Sequence, residues 1–271
     1  MLPSVEELAS VVVAAAREAL VPRFGRSGHT RKADGSVLTE ADLAMQRSMR
    51  EALAGRWPEF AFLGEEMDAA EQRRLLGTRG RALWCLDPLD GTSNFAAGLP
   101  FFSTSLALLI DGAIELGVVY DPARDECFTA RRGAGAWLNG ERLGRHRPER
   151  PLRGGIGLTD LKRLPPALAE RLAREPPYAS QRSFGSVALD WCWVAAGRVH
   201  VYLHGGQKLW DYVAGSLILA EAGGYAVTLD GRPVYDGGLE ARSVAAALDG
   251  ALFDEWIEWL GISPTREAVR R

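Results

Sequence analysis

An apolar run, Ala82-Leu83-Trp84-Cys85-Leu86, stops abruptly at Asp87-Pro88-Leu89-Asp90-Gly91-Thr92. This junction constrains the fold more than any other stretch of the chain. The five apolar residues read as a buried strand. Pro88 and Gly91 are expected to break it. Two carboxylates three residues apart then emerge at a strand end, on a stiff turn, where ligand sites of open α/β sheets lie. An oxygen-rich cluster of this kind suits a hard cation such as Mg²⁺. Thr92 adds a hydroxyl close to both acids.

The rest of the chain narrows the options. Its 271 residues allow one large domain or two lobes around a shared core. Apolar content of 47% can fill such a core, and charged content of 25% argues against wholesale disorder. The net charge of −3 offers no global positive field, so neither nucleic acid nor an anionic membrane is an expected partner. Cys85, Cys127 and Cys192 are scattered and form no C-x-x-C pair, which indicates neither zinc nor a disulfide framework. Cys85 and Cys192 sit in apolar runs and read as reduced core residues of a cytoplasmic protein. The start carries Glu6 and Glu7 and lacks the basic-then-apolar pattern of a signal peptide. No stretch is apolar and long enough to span a bilayer.

Helices are expected from a capping box at Ser4-Val5-Glu6-Glu7 to about Leu20, and from Thr39 to about Leu53. Arg26 to Val37 reads as a loop. Phe60–Leu63 is a short strand leading into Gly64-Glu65-Glu66, and residues 67–80 read as helical or irregular. From Phe101 to Leu143 the pattern is antiparallel, with Asp111-Gly112 and Asn139-Gly140 as tight turns. The arginine- and proline-rich stretch 141–153 is the candidate boundary between an N-terminal lobe, 1–145, and a C-terminal lobe, 146–271, of one compact unit. Beyond it, strands are expected near Gly155–Leu158, Val199–Leu203, Tyr225–Leu229 and Val244–Leu248. Helices are expected over Pro165–Arg174, Gly185–Gly197, Asp211–Ala222 and Phe253–Leu260. Helices alternating with strand pairs suggest stacked helix and sheet layers.

A second acidic element, Glu65-Glu66, also follows a strand, and a third, Trp210-Asp211, opens a helix. Like charges brought together at such ends repel, so a cation is needed to hold them. Each acid also has a bland reading. Asp211 can simply cap its helix, and Glu65 and Glu66 can be solvated turn residues.

Taken together, the motifs resemble the inositol monophosphatase family of lithium-sensitive phosphatases. Glu65-Glu66, Asp87-Pro88-Leu89-Asp90-Gly91-Thr92-Ser93-Asn94-Phe95, Trp210-Asp211 and Glu221-Ala222-Gly223-Gly224 match in order and spacing, and the resemblance runs from about Val5 to Leu260. It implies an α/β, αβαβα sandwich with two sheets between helix layers, a homodimer, and hydrolysis of a small phosphorylated metabolite with two or three Mg²⁺ ions. It further implies that Glu65, Asp87 and the Leu89 carbonyl hold one ion. Asp87, Asp90 and Asp211 would hold a second, and a third would lie near Glu65. Thr92 and Asp42 would orient and deprotonate the attacking water. The Gly91 and Thr92 N–H groups would meet the phosphate, and Gly185 and Ser186 would contact the substrate. For Asp42 the local sequence Thr39-Glu40-Ala41-Asp42 favours a helix cap; the catalytic role comes from the resemblance.

The remaining candidates are weaker. His29, His146, His200 and His204 lack metal-ligand spacing. Trp191, Trp193, Trp256 and Trp259 fall at helical positions and read as packing residues. Arg142, Arg145, Arg147, Arg150 and Arg153 read as a solvated linker. Gly133-Ala134-Gly135 lacks the Lys-Ser or Lys-Thr of a phosphate loop. One position departs from inositol-specific relatives, which carry an acidic residue several places before the Trp-Asp pair. An ungapped count puts His204 there, which leaves the substrate open among inositol phosphate, histidinol phosphate, a sugar phosphate and a 3′-phosphonucleotide. A regulatory role in a transcription complex is the reading from another class.

Overall fold

The computed structural model describes residues 2–269 apart from 27, 33–34, 36, 79 and 146–150. Helix α1 (Val5–Ala19) is followed by a hairpin of β1 (His29–Arg31) and β2 (Val37–Thr39), and then α2 (Glu40–Arg56). Next come β3 (Ala61–Gly64), α3 (Ala69–Leu76), β4 (Leu83–Asp90) and the short α4 (Thr92–Ala96). A meander of β5 (Ser103–Ile110), β6 (Ala113–Asp121), β7 (Glu126–Arg131), β8 (Gly135–Leu138) and β9 (Glu141–Arg142) completes the first half. The second half runs β10 (Ile156–Asp160), α5 (Pro166–Arg174), β11 (Ser180–Arg182), α6 (Val187–Ala195), β12 (Val201–Gln207) and α7 (Leu209–Glu221). It ends with β13 (Tyr225–Val227), β14 (Arg242–Ala247), α8 (Gly250–Leu260) and α9 (Arg266–Val269).

The described residues form two large sheets. One has the order β3-β4-β5-β6-β7-β8-β9, with only β3 and β4 parallel. The other has the order β11-β10-β12-β14-β13, with β10 parallel to both its neighbours. Apolar residues of α1 and α2 cover one face of the first sheet. Helices α6 and α7 fill the space between the sheets, where Trp191, Tyr212 and Ile218 are fully buried. Apolar residues of α5 and α8 cover the outer face of the second sheet. The stack is therefore α/β/α/β/α. Helices α6 and α7 are apolar nearly all round because both of their faces meet a sheet. Trp191 and Trp256 are buried as expected of packing residues.

The tight turns follow from their residues. Asp111 (φ 49°) and Gly112 (φ 77°) both take left-handed backbone, as do Asn139 (φ 49°) and Gly140 (φ 84°). Two successive positive φ values define the hairpin turn whose twist matches the strands.

Four expectations need correction. Pro88 does not end its strand: β4 continues to Asp90, buried throughout. Its pairing with β5 instead shifts register between Asp87 and Asp90. Proline lacks an N–H, and a bulge is the place in a sheet where none is needed. The stretch from Arg26 to Val37, expected as a loop, contains the small antiparallel β1–β2 hairpin. The strand expected at Val199–Leu203 begins at Val201 and extends to Gln207, which puts His204 inside it. Strand β11 was not expected at all. In the arginine-rich connection, His146, Arg147 and Arg150 lie outside the described residues, while Arg142 is in β9.

Strand β12 passes very close to the segment after β10. A Cβ placed on Gly205 would fall on the Arg163 backbone, which has no flexible end to swing away. Gly205→Ala should therefore cost about 1–3 kcal/mol by overpacking. That lowers the melting temperature by about 2–4 °C per kcal/mol in a chain of this size. An unchanged melting temperature by calorimetry would show that the Arg163 segment yields freely.

Candidate active site

Four structural ends bring the acids together. β3 runs into Glu65, β4 carries Asp87 and Asp90, α2 begins at Glu40 and carries Asp42, and α7 carries Asp211 in its first turn. The parallel pairing of β3 with β4 puts Gly64 beside Leu86, so both strands deliver their acids at the same end. Ser105 of β5 donates to the Trp210 carbonyl (3.1 Å), which ties the start of α7 to the same sheet. A pair of glutamines holds the Glu65-Glu66 turn. Gln46 Oε1 accepts from Glu66 N–H (3.0 Å), and Gln72 Nε2 donates to the Gly64 and Glu65 carbonyls (2.9 and 3.1 Å).

The electrostatics are those of a crowded anionic site. Burial pushes the Asp87 carboxyl well above the usual range, and repulsion from Glu65, Asp90, Asp211 and Asp42 adds to it. Burial raises Asp90 to about 6, although hydrogen bonds from Ser186 and Ala188 pull the other way. Asp211 is raised by burial and by the charges of Asp90 and Glu65. Its side chain retains some surface exposure, so solvent screens part of that repulsion. Lys32 is a cation within this group, with Nζ 3.0 Å from Glu65 Oε1 and 2.5 Å from Glu66 Oε1. Burial alone would lower the Lys32 pKa, but the two glutamates override it and hold the ammonium charged.

Each carboxylate is engaged by a protein donor. Asp87 Oδ1 accepts from Leu89 N–H (3.0 Å). Asp90 Oδ2 accepts from Ser186 Oγ (2.6 Å) and Ala188 N–H (2.7 Å). Asp211 Oδ2 accepts from Lys208 N–H (2.9 Å), so it does cap its helix. Among the described residues, no three acidic, histidine or cysteine side chains converge closely enough to grip one ion as they stand. The donor set nevertheless fits Mg²⁺ chemically. It is all oxygen, mostly anionic, and its mutual repulsion is relieved by a bound cation. Glu65, Asp87, Asp90 and Asp211 could hold such an ion by exchanging these hydrogen bonds for metal contacts.

Asp42 uses its two carboxylate oxygens towards different neighbours. Oδ2 accepts from Thr39 N–H (2.7 Å) and Thr39 Oγ1 (2.6 Å), which is the helix cap. Oδ1 faces the Thr92 hydroxyl at 3.1 Å. Thr92 Oγ1 also lies 2.8 Å from the Leu89 carbonyl oxygen. Asp42 is 1% exposed, and burial raises its pKa despite the bonds from Thr39. Gly91, in left-handed backbone (φ 86°), caps α4 and turns the chain between Asp90 and Thr92.

The expected substrate contacts divide. Gly185 is exposed beside Asn94, which ties the Phe101 and Phe184 carbonyls together (2.8 and 2.7 Å). Ser186 is fully buried, and its hydroxyl is committed to Asp90. His204 is 4% exposed. Its Nδ1 accepts from Gly206 N–H (3.1 Å), so the proton sits on Nε2, which faces Asp160 Oδ2 at 3.4 Å. Sequence reasoning missed Asp160, Gln46 and Gln72, and assigned no role to Lys32. Asp160 ends strand β10, after the apolar Ile156 and Leu158, a signal akin to the one that singled out Asp87, whereas the glutamines carry no such signal.

Comparison with known proteins places these features in context. The profile of the inositol monophosphatase family matches residues 2–260. The protein called Nus factor SuhB of Pasteurella multocida is 41% identical over 213 residues, covering 76% of this chain and 77% of that one. The inositol-1-monophosphatase of Rhizobium meliloti is 38% identical over 204 residues, covering 74% and 75%. The crystal structure of suhB from Bartonella henselae superposes with a TM-score of 0.80 at 29% identity, covering 94% and 97%.

Proposed function

The chain belongs to the inositol monophosphatase family, and from that premise we propose that it hydrolyses a small phosphomonoester by direct attack of water, with Mg²⁺. The observation that carries this reading is the Thr92–Asp42 contact beside four mutually repelling acids. Members of the family use Mg²⁺. When bound, the ion neutralises phosphate charge and makes water a stronger acid. Glu65, Asp87, Asp90 and Asp211 would hold it, with the Leu89 carbonyl as a further candidate donor. Thr92 Oγ1 orients the water, and Asp42 Oδ1 takes the proton through that hydroxyl. The N–H groups of Gly91 and Thr92, at the open start of α4, have no partner within the helix and suit an anionic oxygen. Ser186 holds Asp90 in place. A phosphate-release screen over a panel of phosphomonoesters with Mg²⁺ tests the reading, and no release from any of them would sink it.

His204 bears on which ester is used. Both of its ring nitrogens are occupied, by Gly206 and Asp160. It therefore has no free acceptor for a pair of ring hydroxyls, which an acidic side chain would offer. Leaving such hydroxyls unpaired costs about 1–3 kcal/mol. Inositol 1-phosphate is thus expected to be a poorer substrate than another member of the panel. His204→Glu should raise kcat/KM for inositol 1-phosphate selectively, by about tenfold. A wild type that already prefers inositol 1-phosphate refutes this.

A second reading has one observation in its favour, the name Nus factor carried by several relatives. It adds a binding role in a transcription complex, with the arginine-bearing stretch 141–153 meeting an acidic partner. A pull-down at low salt and at about 0.5–1 M salt tests it, because exposed charge contacts are screened at the higher strength.

A further inference from the structure

Away from the acids, a recess of about 250 Å³ opens between α2, α3, the edge strand β3 and its neighbour β4. Its lining is aromatic on one side: Phe60, Phe62 and Trp84. The Phe60 and Trp84 ring centroids are 5.6 Å apart. Trp84 is 1% exposed, so its ring lies deep. Its indole N–H has no acceptor among the described residues, although buried indoles usually find one. Two exposed arginines, Arg50 of α2 and Arg81 just before β4, stand on the same lining. Neither has a carboxylate partner among the described residues. Glu71, also on the lining, is turned towards Arg74 at 3.7 Å.

We propose that this recess binds a small planar aromatic carboxylate, its ring against Phe60 and Phe62 over the buried Trp84 and its charge at Arg50 and Arg81. The volume sets the size. It lies just under the range of about 300–1,000 Å³ typical of ligand pockets, which suits one or two rings. The chemistry sets the class. Aromatic walls favour a stacked ring, and guanidinium groups favour a carboxylate, which they can grip in two-point fashion. A bare inorganic anion would leave the aromatic wall unused, and a neutral ring would leave both arginines without a partner. The site is also well placed in the chain. Met67, on the lining, follows Glu66, and Trp84 precedes Asp87 by three residues, so an occupant touches β3, which runs into Glu65, and β4, which carries Asp87 and Asp90. The proposal does not depend on the hydrolytic reading.

The test uses 2-naphthoate and the whole chain without Mg²⁺. Calorimetry should show one saturable site. The Trp84 indole N–H resonance, assigned with Trp84→Phe, should shift along the same titration. Ala54→Trp, at an exposed position on the α2 side of the recess, should abolish binding. The double variant Arg50→Gln with Arg81→Gln should weaken it by about tenfold or more, as should replacing the ligand by neutral 2-naphthamide. An equal concentration of inorganic phosphate should not displace it. The proposal is overturned by absence of saturation up to the solubility limit, by unchanged affinity in Ala54→Trp, or by equal binding of acid and amide.

Discussion

Asp90→Asn is expected to leave a folded protein whose phosphate release falls by about 10²-fold or more. The fold survives because the Asn carbonyl can accept the bonds from Ser186 Oγ and Ala188 N–H that Asp90 Oδ2 accepts now. What disappears is one negative charge from the group that would hold Mg²⁺. The same change has a second, opposite effect on stability. Asp90 is among the charges that raise the pKa of Asp87 and of Asp211. In chelator, removing it relieves repulsion that no ion offsets. The variant should then melt higher than wild type by about 1 kcal/mol, or about 2–4 °C. With Mg²⁺ the order should reverse, because wild type gains more from the ion. Chelation should silence the wild type and added Mg²⁺ should restore it. Phosphate release that ignores the chelator would end the metal reading, and a lower melting point of the variant in chelator would end the repulsion argument.

What could be read from the sequence follows where hydrophobic pattern and turn chemistry are strong. The acid-bearing strand β4, the two tight hairpins and helices α1, α2, α6 and α7 each announce themselves through an apolar run, a capping box or paired turn residues. Strands β1 and β11 do not, because His29-Thr30-Arg31 and Ser180-Gln181-Arg182 are polar edge segments with no buried face. Pro88 misled in the other direction. Its missing N–H argues for a strand end, yet a register shift against β5 absorbs it. At the site, the acids were legible because four carboxylates at element ends demand an explanation. Their partners were not. That Lys32 pairs with Glu65 and Glu66, or that Ser186 turns inward to Asp90, depends on contacts spanning 33 and 96 positions of chain. No local pattern encodes such distances. The two roles weighed for Asp42 turned out to be compatible in geometry, since its two carboxylate oxygens face different neighbours.

That division of labour makes Asp42 the sharpest test of the reaction. Asp42→Asn should lower kcat by about 10²–10⁴-fold, the usual share of a general base, with little change in KM. Stability should hardly move. At the third position of the helix, where residue 42 closes the capping box, the Asn carbonyl can keep the bonds from Thr39 N–H and Oγ1. Its amide nitrogen would then face Thr92 Oγ1, where an acceptor stood before. The Thr92 proton would turn to the Leu89 carbonyl, 2.8 Å away, and the path for the water's proton would close. Thr92→Ala should lower kcat comparably, since it removes the hydroxyl between water and carboxylate. The double variant should be little worse than either single one, because the two groups act in series on one proton. Steady-state kinetics with the best substrate of the panel, beside a melting curve for each variant, separates the outcomes. If Asp42 is a cap alone, Asp42→Asn turns over at nearly the wild-type rate. If the pair acts independently, the losses multiply in the double variant.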